Sequence, residues 1–170
     1  YAPSSPAILE EDLVPQQYIR YCNINQVDKY EPVSWNLWMN ILRRTPGSTL
    51  ALYRMRDPLG AHVVRHLSEE AEVRGIHPSR ILWFERLPRK QHAQRIASQC
   101  DLFLDHLLYG AHTTGADALW AAVPLLTISG WGGSLNDQAG RFSSRVGASL
   151  VRSLGLEKYV LMDTLRDFED

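Results

Sequence analysis

Short apolar runs alternate with helical patterns along this chain, and that alternation constrains the fold more than any other feature. Strand-like runs fall at 18–24 (YIRYCNI), 49–55 (TLALYRM), 80–87 (RILWFERL), 101–105 (DLFLD), 124–128 (PLLTI) and 159–162 (YVLM). Helical patterns lie between them at 32–44, 59–75, 89–100, 114–122 and 139–155. In the first of these, Trp35, Trp38, Ile41 and Leu42 recur at the 3.6-residue period, and Pro46-Gly47 stops the pattern. Strands separated by helices of this length predict right-handed crossovers. The expected architecture is therefore α/β, a parallel sheet with helices on both faces. Ligands of such sheets bind outside the carboxyl ends of the strands. Those ends are the loops NINQVDKYEP, RMRDP, ERLPRKQH, DHLLYGAHTTG and SGWGGSLNDQAG.

Composition removes several function classes. Hydrophobic residues make up 45% of the 170 positions and the net charge is −1, so the chain is globular and carries no basic field for nucleic acid. The longest apolar run, ALWAAVPLLTI, is broken by Pro124 and is too short to span a membrane. Cys22 and Cys100 lack metal-ligand spacing and read as free thiols in a reducing compartment. His62 and His66 stand four apart on a helical pattern, but no third ligand accompanies them, so no metal is expected. Residues 1–17 read as a lead segment or linker, and TLRDFED reads as the start of a helix. The expectation is one domain over 18–170, cut from a longer protein and truncated at its C-terminus.

The loops carry the chemistry. In GAHTTGADALW, glycines, a histidine and two threonines open a helix directly after a strand. A helix N-terminus has unpaired N–H groups and a partial positive charge, which attract phosphate. On this reading Gly110 and Gly115 let the backbone approach closely, Thr113 and Thr114 add hydroxyls, and Asp117 accepts from a ligand hydroxyl such as a ribose. An ordinary N-cap would use the same residues. His112 is placed to donate to a phosphate or act as a base. The loop after the first strand offers Asn25, Gln26 and Lys29, the last able to neutralise a diphosphate. The loop after the third offers Arg89, His92 and Arg95 at i, i+3 and i+6. The dinucleotide and P-loop glycine patterns are absent.

In this order, YCNINQVDKYEPVSWNLWMNILRRTPGSTL, LPRKQHAQRIASQCDLFLDH and GAHTTGADALWAAVPLLT resemble the C-terminal catalytic lobe of the O-GlcNAc transferases, from about residue 18 to 162. The resemblance implies the GT-B fold, with two Rossmann-like lobes of which this is the nucleotide-binding one. It implies transfer of N-acetylglucosamine from UDP-GlcNAc to Ser/Thr of cytoplasmic or nuclear proteins, with inversion and without a metal. By the same resemblance Gln26 and Lys29 would meet the diphosphate, with Lys29 supporting the leaving group. His92 would meet the uracil, backed by Arg95. His112, Thr113 and Thr114 would hold the phosphates and Asp117 the ribose, with Lys29 and His112 the residues closest to the chemistry. Arg89 stands where the family usually has lysine near the nucleoside. The connection at 130–142, with Trp131, is longer than the family's. The family's N-terminal lobe, tetratricopeptide repeats and final helices have no counterpart here. Two alternatives stand beside this reading. One is a GDP-fucose-dependent protein O-fucosyltransferase. The other is a nucleotide-sugar-binding lobe with a regulatory role.

Overall fold

The computed structural model describes residues 18–129 and 141–170, with every side chain in them except that of Arg89. Six strands are found among these residues: β1 (Arg20–Asn23), β2 (Thr49–Tyr53), β3 (Ile81–Phe84), β4 (Leu102–Leu104), β5 (Leu125–Ile128) and β6 (Leu161–Met162). All pair in parallel, in the order β3-β2-β1-β4-β5-β6. The helices are α1 (Pro32–Arg44), α2 (Leu59–Val73), α3 (Arg89–Gln99), α4 (Thr113–Trp120), α5 (Val146–Ser153), α6 (Glu157–Val160) and α7 (Leu165–Glu169). This is the doubly wound, Rossmann-like α/β order, and its direction reverses between β1 and β4.

Strand side chains alternate between two faces, and each face meets its own helices. Tyr21, Leu50, Leu52 and Leu104 join one cluster with Trp35, Trp38, Met39 and Leu42 of α1, Ala71 of α2 and Phe168 of α7. Cys22, Ala51, Phe103 and Leu125 join the other with Ile96 of α3, Ala118 of α4 and Val151 of α5. The two cysteines are free, and both are buried in that second cluster.

Local chemistry sets the helix ends. Pro32 opens α1, where its missing N–H costs nothing, and the Glu31 carboxylate accepts from Val33 N at 2.7 Å and Ser34 N at 2.9 Å. Gly75 and Gly155 take positive φ just beyond α2 and α5. Two expectations need correction. The helix expected over 139–155 begins only at Val146, because Phe142–Ser144 forms a 3₁₀ turn; residues 139 and 140 lie outside the described residues. The strand expected over 159–162 is a short helix through Val160 followed by Leu161–Met162. TLRDFED opens a helix as expected, α7, whose capping box joins Thr164 and Asp167.

The late start of α5 has a steric consequence. A Cβ on Gly147, in its first turn, would lie 2.4 Å from Asp105 Oδ2 and 2.7 Å from Thr127 Oγ1. Both residues are buried, at 1% and 0% exposure, so neither can swing away. Alanine gains about 1 kcal/mol of helix propensity over glycine, but forced overpacking costs about 1–3 kcal/mol or more. Gly147→Ala should therefore lower stability in urea denaturation. At Gly115 the same change makes contacts no closer than 3.2 Å and should cost less. Equal midpoints for the two variants would show that Asp105 is not fixed there.

Candidate functional site

The ends of β1 and β4 are joined by buried amide and imidazole groups. Asn23 Nδ2 donates to Leu104 O at 2.7 Å, and its Oδ1 accepts from Asn25 N at 3.1 Å. These two bonds fix the amide, so its remaining N–H faces His106 Nδ1 at 3.3 Å. Asn25 is fixed in the same way. Its Oδ1 accepts from Thr114 Oγ1 and from Lys29 Nζ at 3.5 Å, which leaves Nδ2 facing the same His106 Nδ1 at 3.4 Å. Two amide donors at Nδ1 put the imidazole proton on Nε2. Burial, then the charge of Lys29, pushes the His106 pKa down to about 3, so the ring is neutral. It lies between Tyr30 and Trp38, with centroids at 5.2 and 5.1 Å.

Asp105, the first residue after β4, ties the following loop. Its Oδ1 accepts from His106 N at 2.8 Å and Ala111 N at 2.6 Å, and its Oδ2 accepts from Thr127 Oγ1 at 2.7 Å. Leu107 N donates to Ser34 Oγ at 3.0 Å. Residues 105–111 are thereby held on both sides, and they deliver the N-terminus of α4 to the mouth of the sheet.

Over this floor opens a cavity of about 540 Å³, lined by Ile24, Asn25, Gln26, Lys29, Tyr53, Arg86, Leu87, His92, Thr113, Thr114 and Asp117. It lies at the carboxyl ends of β1 and β4, where the strand order reverses. Thr113 and Thr114 are the first two residues of α4, and the His112 side chain does not cap the helix. Lys29 Nζ donates to Gly110 O at 3.2 Å. Burial lowers the Lys29 pKa, while Asp105 and Asp28 work the other way. Burial also lowers that of His92, helped by Arg95 and opposed by Asp117. The arrangement presents one ammonium, one guanidinium and a helix N-terminus toward a space of nucleotide size.

The profile of glycosyl transferase family 41 matches residues 9–170. The chain belongs to this family. A probable UDP-N-acetylglucosamine–peptide N-acetylglucosaminyltransferase of Arabidopsis thaliana is 30% identical over 167 residues, 98% of this chain and 16% of that protein. A UDP-N-acetylglucosamine–peptide N-acetylglucosaminyltransferase of Caenorhabditis elegans is 31% identical over 147 residues, 86% of this chain and 12% of that protein. The chain thus spans well under a fifth of either relative. Among solved structures, a mutant O-GlcNAc transferase from Thermobaculum terrenum superposes with a TM-score of 0.76 at 27% identity, over 90% of this chain and 27% of that one. Sucrose-phosphate synthase from Thermosynechococcus elongatus, at 12% identity and a TM-score of 0.52, shares the fold alone.

Within this member of family 41, the residues expected at the site divide into three groups. Gln26, Lys29, His92, Thr113, Thr114 and Asp117 line the one cavity. Arg95 and His112 do not. Arg95 Nη2 donates to Glu85 O at 2.7 Å and its guanidinium lies over Phe84, so it braces the His92 wall from behind. The His112 ring pairs Nε2 with Ser143 O at 3.1 Å and stacks on Tyr109. The Arg89 side chain, and Trp131 with residues 130–140 of the long connection, lie outside the description. Gly115 needs correction as well. Its open face packs on Ala111 and Leu125 inside the protein, not toward a ligand. The threonines do not close the helix as caps; Thr114 bonds across to Asn25. Asn23, Asp105, His106 and Arg86 were missed. Their signal was position, as polar residues placed at or directly after the carboxyl ends of parallel strands. Among the described residues no group of three or more His, Cys, Asp or Glu could hold a metal, and no helix is long and apolar enough to cross a membrane.

Two floor residues titrate in opposition. Burial raises the Asp105 pKa to about 6, against the hydrogen bonds from Ala111, Thr127 and His106 and the charge of Lys29. Its unfolded value is about 4, so Asp105 makes the fold lose stability as pH rises from about 4 to about 6. His106 is depressed from about 6.5, so it makes the fold gain stability as pH rises from about 3 to about 6.5. Between about pH 4 and 6 the two nearly cancel, each contributing up to ~1.4 kcal/mol per pH unit. Asp105→Asn keeps the acceptor for both N–H groups, and its amide can donate to the Thr127 hydroxyl. Urea midpoints of the variant should climb more steeply over that range than those of the wild type. Parallel profiles would mean that Asp105 does not titrate there.

Proposed function

We propose that the cavity binds the nucleoside diphosphate of UDP-GlcNAc. On this reading residues 18–170 are the donor-binding lobe of a transferase that moves N-acetylglucosamine to Ser/Thr of cytoplasmic or nuclear proteins, with inversion. One observation carries it. The cavity at the strand-order reversal is lined by Lys29, Arg86, the first residues of α4, Asp117 and His92. Family membership and the names of the relatives support the donor and the acceptor class. A second lobe and a substrate-recruiting repeat region would complete the enzyme. The low share of each relative that this chain spans fits that division.

Each residue then has a task. The N–H groups of Thr113 and Thr114 and the hydroxyl of Thr113 hold the phosphates, while the Thr114 hydroxyl is engaged by Asn25. Asp117 accepts from the ribose hydroxyls, and His92 meets the base. Arg86 adds charge at the rim. The Lys29 ammonium stabilises negative charge that grows on the diphosphate as the glycosidic bond breaks. Cations of the protein thereby stand where a divalent metal would otherwise act, which supports a metal-independent reaction. Calorimetric titration of the chain should show UDP binding in preference to GDP. Preference for GDP, or no heat with either, sinks the assignment.

Lys29→Ala in the full-length transferase should lower kcat by ~10²-fold or more, with a smaller change in donor KM, because the charge acts mainly in the transition state. Near-normal turnover in steady-state assays would reduce Lys29 to a surface cation.

A further inference from the structure

Lys29 and His112 come from different loops, and one side chain touches both. The Tyr109 ring stacks on His112 with centroids 5.0 Å apart and an interplanar angle of 20°. On the same ring, Lys29 Nζ lies 4.3 Å from the centroid. Tyr109 is 46% exposed, so it is not a core residue held there by general packing.

The position of the ring is informative. Lys29 borders both the cavity of about 540 Å³ and a neighbouring one of about 480 Å³, whereas Tyr109 borders only the second. The ring therefore backs the ammonium from the side away from the proposed nucleotide. Asp28 and Glu31 border that second cavity too. A lysine on a flexible four-carbon stem would turn toward such carboxylates unless something stood in the way. The oxygen contacts of Nζ, to Gly110 O at 3.2 Å and Asn25 Oδ1 at 3.5 Å, are long and hold it loosely.

We propose that Tyr109 is a positioning residue for Lys29, its ring face keeping the ammonium charged and held at the wall between the two cavities. The catalytic consequence rests on the reading of Lys29 given above; the contact itself does not. The groups that face this ammonium are Asp28 on its own turn, Asp105 and the neutral His106 after β4, Glu31 at the cap of α1, and His112 across the ring. Glu31 is committed to the N–H groups of Val33 and Ser34. The negative ring face adds to the two aspartates in favouring the charged form, against burial.

The sequence has three lysines, Lys29, Lys90 and Lys158, so a chain labelled with ¹³C at lysine Cε gives three resolvable titrations. Tyr109→Leu should lower the Lys29 pKa by about half to one unit, as expected for losing one partly desolvated cation–π contact. Tyr109→Phe should leave it where it is, and Tyr109→Trp, with the stronger ring face, should hold or raise it. Lys90 and Lys158 serve as internal references. In the full-length transferase Tyr109→Leu should cut kcat by about 2- to 30-fold. Donor KM should change little, and the basic limb of the pH profile should move down by the same half to one unit. A merely structural role would reduce active protein without moving that limb. A Lys29 titration unchanged in Tyr109→Leu, or unchanged across Leu, Phe and Trp, overturns the proposal whether or not the chain binds UDP. Failure of UDP binding is read in its own titration and overturns the site assignment instead.

Discussion

The site depends on the way the ends of β1 and β4 are joined. These strands are neighbours in the sheet but lie 81 residues apart in sequence, and the chain leaves them in opposite directions. Their first loop residues are buried polar groups, and a buried polar group without a partner costs about 1–3 kcal/mol. Asn23 and Asn25 resolve this by pairing with each other, with Leu104 O and with the bare nitrogen of His106. One arrangement of amides and one tautomer pairs both asparagines, and it leaves the buried His106 Nε2 without a hydrogen-bond partner among the described residues. Asn25 Oδ1 is thereby presented upward as an acceptor, where it gathers Lys29 from one loop and Thr114 from another. The diphosphate side of the proposed site is an extension of this buried network.

Asp105 extends the same logic to a third loop. Its carboxylate sits beside the first turn of α5, accepts from Thr127 on β5 and from two N–H groups of its own loop, and leaves room for no Cβ on Gly147. Burial of this charge is costly, and its raised pKa reports that cost. The opposite shift of neighbouring His106 comes from the same burial. Lys29 lies close enough to influence both, lowering each. The ammonium proposed to serve the ligand is thus part of the electrostatics of the floor beneath it.

What could be read from the sequence was what local chemistry decides. α1 occupies 32–44 as expected because Pro32 and the Glu31 cap fix its start within a few residues. The α/β class was legible because short apolar runs alternate with helical patterns, and the strands are largely apolar since they serve a core on each face. Lys29, Thr113, Thr114 and Asp117, which line the cavity, were legible as polar residues in the loop or the helix start that follows a strand, the place where such sheets bind ligands. Long-range contacts decided the rest. Asp105 and His106 follow an apolar strand and look like ordinary loop residues until residues 23 and 25 are brought beside them. Arg95 shares a helix with His92, yet its guanidinium is drawn to Glu85 O and the Phe84 ring. The α5 boundary moved because the chain first makes a 3₁₀ turn whose Ser143 oxygen meets His112 and Gly110.

The cavity is graded along its length, and the gradient suits one kind of ligand better than others. Thr113 opens α4 and Asp117 stands four residues later, about 6 Å along the helix axis. The N-terminal end, with Lys29 nearby, is positive; the Asp117 position is an acceptor. A carboxylate in the first turn would repel a phosphate, whereas one a full turn further on does so weakly and remains within reach of hydroxyls. Beyond it, His92 offers a neutral ring whose Nδ1 faces the Arg95 guanidinium at 3.5 Å, which leaves Nε2 as the protonated edge. Read from one end to the other, the wall asks for an anion, then hydroxyl donors, then a flat group with an acceptor. A simple inorganic anion would use only the first of these features. A nucleoside diphosphate would use all three in order, and a difference in base would be felt only at the His92 end. On the proposed reading, nucleotide selectivity and leaving-group stabilisation are therefore separable, resting on different loops and open to independent alteration.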